Sequence, residues 1–318
     1  MPLTSRNLSD WLDRSPLLRP VVLWSLVALV ALPLLVGAGF LTFTVFAGPE
    51  PPRGNAPGPT RATRSSETRL LLAGSGSNVP LTRQLADACS RALPDLHVEV
   101  DEGMGSTGGL RALADGEIDL ALVSRPLRDA ERTPGLTVVP YARAPVAVAT
   151  HPGVVDEGVT QAQLVEIFQG VRGRWSDGRV VVPVQRESGD SSHAAVSKRL
   201  PAFAVADEQA RPEQRWLVAY HDRSMHEALL ATPGSVGLVD ASAVRVGGWP
   251  LRLLKVDGAA PTGAAIAAGK YPFWKDLSFV SSGRPSAAVA KFLACVASPV
   301  GEDVIRKAES LPLSGGAR

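Results

Sequence analysis

The apolar residues fall into distinct regimes along the chain. Val21–Ala47 is almost wholly apolar, and no charged residue occurs from Pro20 to Pro49. As a helix this stretch would run about 40 Å, enough to cross a hydrocarbon core of about 30 Å with tilt. It is longer than the apolar segment of a usual secretory signal. The pattern therefore predicts an uncleaved transmembrane anchor at 21–47 behind a cytoplasmic segment at 1–20. The alternative is a signal peptide, with Val45-Phe46-Ala47 before the cut. Residues 48–66 read as a linker, and the first 13 of them hold eight Pro or Gly, too many to pack a core.

From residue 67 short apolar strands alternate with amphipathic helices. Strands are predicted at Leu70–Ala73, His97–Val100, Ile118–Val123, Val146–Thr150, Val180–Val184 and Ser235–Val239. Helical spacing links Leu81, Leu85 and Cys89, then Leu110 and Leu113, then Leu164, Ile167 and Phe168 behind a Thr160 cap. Ser191–Leu200 and the segment carrying Val289, Phe292 and Val296 are further helices. This alternation implies an α/β fold with a mainly parallel sheet.

Three strand-to-helix joints share one chemistry: Gly74-Ser75-Gly76-Ser77-Asn78, Gly105-Ser106-Thr107-Gly108-Gly109 and Arg186-Glu187-Ser188-Gly189-Asp190-Ser191-Ser192. Each puts backbone N–H groups and small hydroxyls at the positive end of a helix, where an anion is favoured. Charge narrows the partners. The 318 residues carry 33 Lys+Arg and 31 Asp+Glu, a net +2, which excludes a broad nucleic-acid surface. Residues 1–66 hold six Arg against Asp10, Asp13 and Glu50, so the remainder has 27 positive and 28 negative groups, or −1. The slight basicity belongs to the N-terminal segments.

The ordered pieces GSGSNVP (74–80), GMGSTGGLRALADGEIDLALVSRPL (103–127), VTQAQLVEIFQG (159–170), VQRESGDSS (184–192), TPGSVGLVD (232–240), VDGAAPT (256–262), GKYPFW (269–274) and FLACVASPVGEDVIRKAESLPL (292–313) resemble the phosphate-binding proteins of phosphate ABC transporters, in the type 2 periplasmic binding protein superfamily. The resemblance implies a two-lobed type 2 periplasmic binding protein fold with a two-strand hinge, preceded by the transmembrane helix. Lobe I would comprise 67–147 and 272–318, and lobe II 148–271. It also implies capture of inorganic phosphate or a similar oxyanion for ABC permease subunits, outside the cytoplasmic membrane, by a monomer without catalysis, cofactor or metal. By position, the ligand would be held by Ser77, Asn78, Val79, Ser106, Ser124, Arg186, Asp190, Ser191 and Ser192.

Several of these depart from the family pattern. Asn78 stands where the family uses Thr, and Val79 where it offers a backbone N–H. Ser124 stands where many members have an Asp that accepts the proton of hydrogen phosphate. Asp190-Ser191-Ser192 replaces Ser-Gly-Thr. Asp190 either restores a selective carboxylate from the opposite lobe or caps the helix beginning at Ser191. Cys89 and Cys295 lie on apolar helix faces of one expected lobe, as buried thiols or, in an oxidising compartment, a disulfide.

Two other readings compete. One is a membrane-tethered sensor or adaptor that keeps the fold and binds another ligand or none. The other is an NADP-dependent oxidoreductase: Gly103, Gly105 and Gly108 spell G-x-G-x-x-G, Ser124-Arg125 could seat a 2′-phosphate, and Tyr271 and Lys275 give Y-x-x-x-K. The fingerprint follows the second strand of the domain instead of the first, and Pro272 interrupts the helix that the Tyr–Lys pair would need.

Overall fold

Runs such as Leu70–Ala73 and Leu120–Val123 are apolar without a break because both of their faces are covered, as in parallel sheets flanked by helices. The computed structural model describes residues 68–313. The expected N-terminal segment, anchor and linker lie outside the described residues, and no described helix is long and apolar enough to cross a membrane.

The chain runs β1 (Thr68–Gly74), α1 (Val79–Ala92), β2 (Leu96–Gly103), α2 (Gly105–Ala114), β3 (Leu120–Val123), β4 (Leu136–Thr150), β5 (Gly158–Val159) and α3 (Gln161–Gln169). It continues with β6 (Val182–Arg186), α4 (Ser191–Arg199), α5 (Pro201–Ala210), β7 (Leu217–Ala219), α6 (Asp222–Ala231), β8 (Ser235–Asp240) and α7 (Ala241–Val246). β9 (Arg252–Val256), α8 (Gly263–Ala267), β10 (Trp274–Ser282), α9 (Ala287–Val296), α10 (Pro299–Lys307) and β11 (Leu311–Pro312) complete it.

The main strand order is β2-β1-β3-β10-β4-β8-β6-β7. β1 pairs in parallel with β2 and β3, and β6 with β7 and β8, whereas β4 and β10 run antiparallel to each other and to their other main-sheet neighbours. Two lobes result. Leu72, Leu85, Leu122, Tyr141, Ala144, Leu277, Phe279 and Phe292 share one core. Val146, Val148, Phe168, Phe203, Leu238 and Phe273 share another. The change of core falls between Ala144 and Val146 on β4 and between Phe273, just before β10, and Leu277 on it, so these two strands carry the chain between lobes. β4 is three times as long as the sequence pattern suggests, and β10 escaped it altogether.

Cys89 on α1 and Cys295 on α9 form a disulfide across 206 residues, with Cα atoms 6.0 Å apart. The helices pack on the same core, so the bridge ties the two chain segments that build the first lobe.

Candidate binding cleft

All three joints open on one cavity of about 650 Å³ between the lobes. Ser75 and Val79 line it from the first joint, Ser106 from the second, and Arg186, Asp190 and Ser191 from the third. The first joint depends on glycine at its start: Gly74 has φ +147°, and a Cβ there would overlap the Leu122 carbonyl. At Gly76 a Cβ would lie 2.6 Å from Asp222 Oδ2, so absence of a side chain lets α6 of the second lobe approach the first.

Arg186 ends β6, where the carboxyl end of a strand opens on the cleft. It is 4% exposed. Nε donates to Glu187 Oε2 at 2.9 Å and to the Ala219 carbonyl at 3.1 Å, and Nη2 donates to Glu187 Oε1 at 3.1 Å. Nη1 lies 3.5 Å from Asp190 Oδ2 and 3.3 Å from Asp222 Oδ1. Burial alone would ease loss of its proton, but Asp190, Asp222 and Glu187 reverse that and hold the guanidinium charged.

Asp190 caps α4: its Oδ1 accepts from the backbone N–H of Ser192 at 2.9 Å and of His193 at 3.0 Å. The capping role weighed from sequence is thus the one its geometry displays, with the second carboxylate oxygen turned to Arg186. Burial pushes the Asp190 carboxyl up, yet Arg186, with Lys275 and the His193 N–H, outweighs it and holds the group below its ordinary value. Two N–H groups at the positive end of α4 are therefore already bound to a carboxylate of the chain itself.

The hydroxyls converge on a residue that the motif search tied only to the oxidoreductase reading. Lys275 Nζ donates to Ser77 Oγ at 2.8 Å, Ser192 Oγ at 2.9 Å and Ser191 Oγ at 3.1 Å. Its fourth neighbour is Asp240 Oδ2 at 3.5 Å, and both side chains are buried. Asp240 ends β8 and caps α7, with Oδ1 accepting from Ser242 Oγ and, at 3.0 Å, from the Ala243 N–H. Ser77 comes from the first lobe and Ser191 and Ser192 from the second, so one ammonium joins both behind the cavity. A sequence signal existed: Lys275 shares its strand face with buried Leu277 and Phe279, where a lone lysine needs a partner.

The other expected ligand residues are placed differently. Asn78 is fully buried, and its amide is spent inside the first lobe, accepting from Thr82 and Tyr141 and donating to the Val123 and Ser278 carbonyls. The Val79 N–H donates to the Ser75 carbonyl at 3.3 Å. Ser106 Oγ accepts from the Ser124 N–H at 3.4 Å, and the Ser124 hydroxyl is buried without a partner. Asn78 and Ser124 thus belong to the interior of the first lobe, not to the cavity lining.

Sequence reasoning also missed Asp222, at the start of α6, and Arg128, which reaches from the first lobe to within 2.9 Å of where a Gly189 Cβ would be. Trp249 lines the cavity beside His226, with ring centroids 4.9 Å apart. The dinucleotide alternative lacks its geometry. Gly103 ends the edge strand of the sheet. Arg125 is held at 2.7 Å by both oxygens of Glu131, whose carboxyl this bond takes down to about 2. Tyr271 donates its hydroxyl to the Val146 carbonyl, and Lys275 lies on a strand, so no catalytic helix spans them.

The profile of the PBP superfamily domain matches residues 56–300. The phosphate-binding protein PstS of Bacillus subtilis is 22% identical over 70% of this chain and 73% of its own. A crystal structure titled as a proposed phosphate ABC transporter substrate-binding protein from Clostridium perfringens, with bound phosphate, superposes with a TM-score of 0.67 at 20% identity, covering 77% of this chain and 100% of that one. An ABC-type phosphate transport receptor from Vibrio cholerae gives 0.54 at 20% identity, covering 76% and 99%.

Proposed function

The chain belongs to the PBP superfamily, and from that premise we propose that it is an extracytoplasmic solute-binding protein, without catalysis, that closes two lobes over a small charged solute and presents it to an ABC permease. The observation that carries this reading is the arrival of three glycine–serine joints, from both lobes, at one cleft beside Arg186. β4 and β10, passing between the lobes, supply the hinge. The names of the relatives make inorganic phosphate, or a similar oxyanion, the first ligand to test. An anchor at 21–47 and the spacer behind it would hold the domain near its permease at high effective concentration. The Cys89–Cys295 bridge fits an oxidising compartment.

A specific observation favours the second reading, in which the fold is kept and the ligand has changed. Phosphate has five non-hydrogen atoms, and at about 1.5 kcal/mol per atom its binding tops out near 7.5 kcal/mol, a low-micromolar affinity. So small an ion needs nearly every donor. Here the Ser192 and His193 N–H groups serve Asp190 and the Val79 N–H serves Ser75, while the oxygens of Ser77, Ser191 and Ser192 accept from Lys275, which fixes these hydroxyls in place. Around Arg186 stand three carboxylates, a local sum of −2. At an effective dielectric of 20, like charges 4 Å apart repel by about 4 kcal/mol, which opposes a dianion at this point.

A thermal-shift panel on the full-length chain separates the readings, using phosphate, sulfate, arsenate, molybdate and phosphonates. A ligand at 100 times its Kd adds about 2.7 kcal/mol, or about 5–10 °C in a domain of this size. Phosphate stabilisation without a sulfate response upholds the oxyanion ligand. Silence to all five leaves the altered site.

A further inference from the structure

We propose that the cleft binds an organic cation, an aliphatic ammonium seated against the carboxylates of Asp222 and Glu187 and the adjoining rings of Trp249 and His226. This rests on the solute-binding reading above and specifies the ligand class of that cleft.

The argument starts from the charges at the floor. Arg186 is flanked by Glu187, Asp190 and Asp222, and one guanidinium cannot balance three carboxylates. Asp190 is closed off by its cap and its burial, but the side chains of Asp222 and Glu187 are 23% and 34% exposed and line the cavity. Lys275 relieves the excess only at Asp190 and is itself paired with Asp240. The lining as a whole is balanced, with five arginines and five carboxylates. The negative surplus is therefore local to the floor.

The second observation is independent of that cluster. His226 is 4% exposed, lines the cavity, and its Nδ1 has no hydrogen-bond partner. Burial takes its pKa down to about 4, so the ring stands neutral beside Trp249 at neutral pH and adds no repelling charge. Tyr220, which also lines the cavity, is 66% exposed. Neutral aromatic faces next to carboxylates recognise ammonium groups by the attraction of the cation to the ring face. The cavity, about 650 Å³, falls in the range of about 300–1,000 Å³ that admits an organic ligand.

Isothermal titration of the full-length chain tests this with choline, tetramethylammonium, putrescine and spermidine in one arm and inorganic phosphate and sulfate in the other. The expected result is saturable binding of at least one ammonium probe and none of either oxyanion. Asp222→Asn and Trp249→Ala should each weaken that binding at least tenfold, and added salt should weaken it in the wild type. Far-ultraviolet circular dichroism on each variant checks its fold, and the salt titration carries the test should a variant not fold. Phosphate binding with no ammonium response would overturn the inference while upholding an oxyanion ligand. Silence toward every probe would overturn both. Ammonium binding indifferent to Asp222, Trp249 and salt would also overturn it, because the cation would then sit elsewhere.

Discussion

Lys275 Nζ has three protons, and Ser77, Ser191 and Ser192 take all three. A buried ammonium so bonded is held in place of any free ligand at that point, and its removal strands Asp240 in the interior. Lys275→Met should therefore destabilise the protein by about 3–5 kcal/mol, the usual result of leaving one charge of a buried pair alone. Urea unfolding measures it. Adding Asp240→Asn should restore part of the loss, and strict additivity in that double-mutant cycle would show that the pair is not coupled. Some of this chemistry was legible in the sequence. Asp190 before a helix is a cap by its type and place, and Arg186 at the end of an apolar strand points at the cleft by position. Lys275 was not legible in the same way. Its partners come from positions as much as 198 residues away, so its role depends on where three loops meet.

The elements with the strongest local period were read most easily. α1 and α9 repeat apolar residues at helical spacing, and α3 announces itself with the Thr160–Gln163 capping box. β4 was read only from Val146, because Pro140 and Pro145 interrupt the run and a proline argues against an inner strand. Both prolines are nevertheless paired against β10, and a register shift at Leu277–Ser278 falls beside Pro140. The α1–α9 disulfide is an element-level device, since it closes a loop that the unfolded chain would otherwise explore. Reducing it, or making Cys89→Ala with Cys295→Ala, should lower stability by about 2–4 kcal/mol. Calorimetry should find the melting temperature lower by about 5–15 °C; an unchanged melt would mean that the bridge does not form in solution.

At the scale of the molecule, two cores are joined by two strands, and the lobes also meet through Lys275, between Ser77 and the Ser191–Ser192 pair, and through Asp222 against Gly76. The hinge reading therefore predicts that the radius of gyration from small-angle scattering falls when the solute found by titration saturates the cleft. Binding without contraction would make the cleft a preformed pocket and remove hinge closure. Gly76 and Asp222 mark where the closed lobes touch, so Gly76→Val is the natural control that should hinder contraction.

Periodicity, turn chemistry and caps are local, and so the chain by itself determined the α/β class, the three joints, Arg186 and the kinship that their order carries. The ligand seat is a sum over distant charges. Asp222 and Asp240 look unremarkable in sequence, and only the tertiary structure decided that Asp240 and Lys275 neutralise each other while Asp222 joins Glu187 and Asp190 around a single arginine. Electrostatics in a buried cleft depends on distance in space, and separation along the chain says little about it.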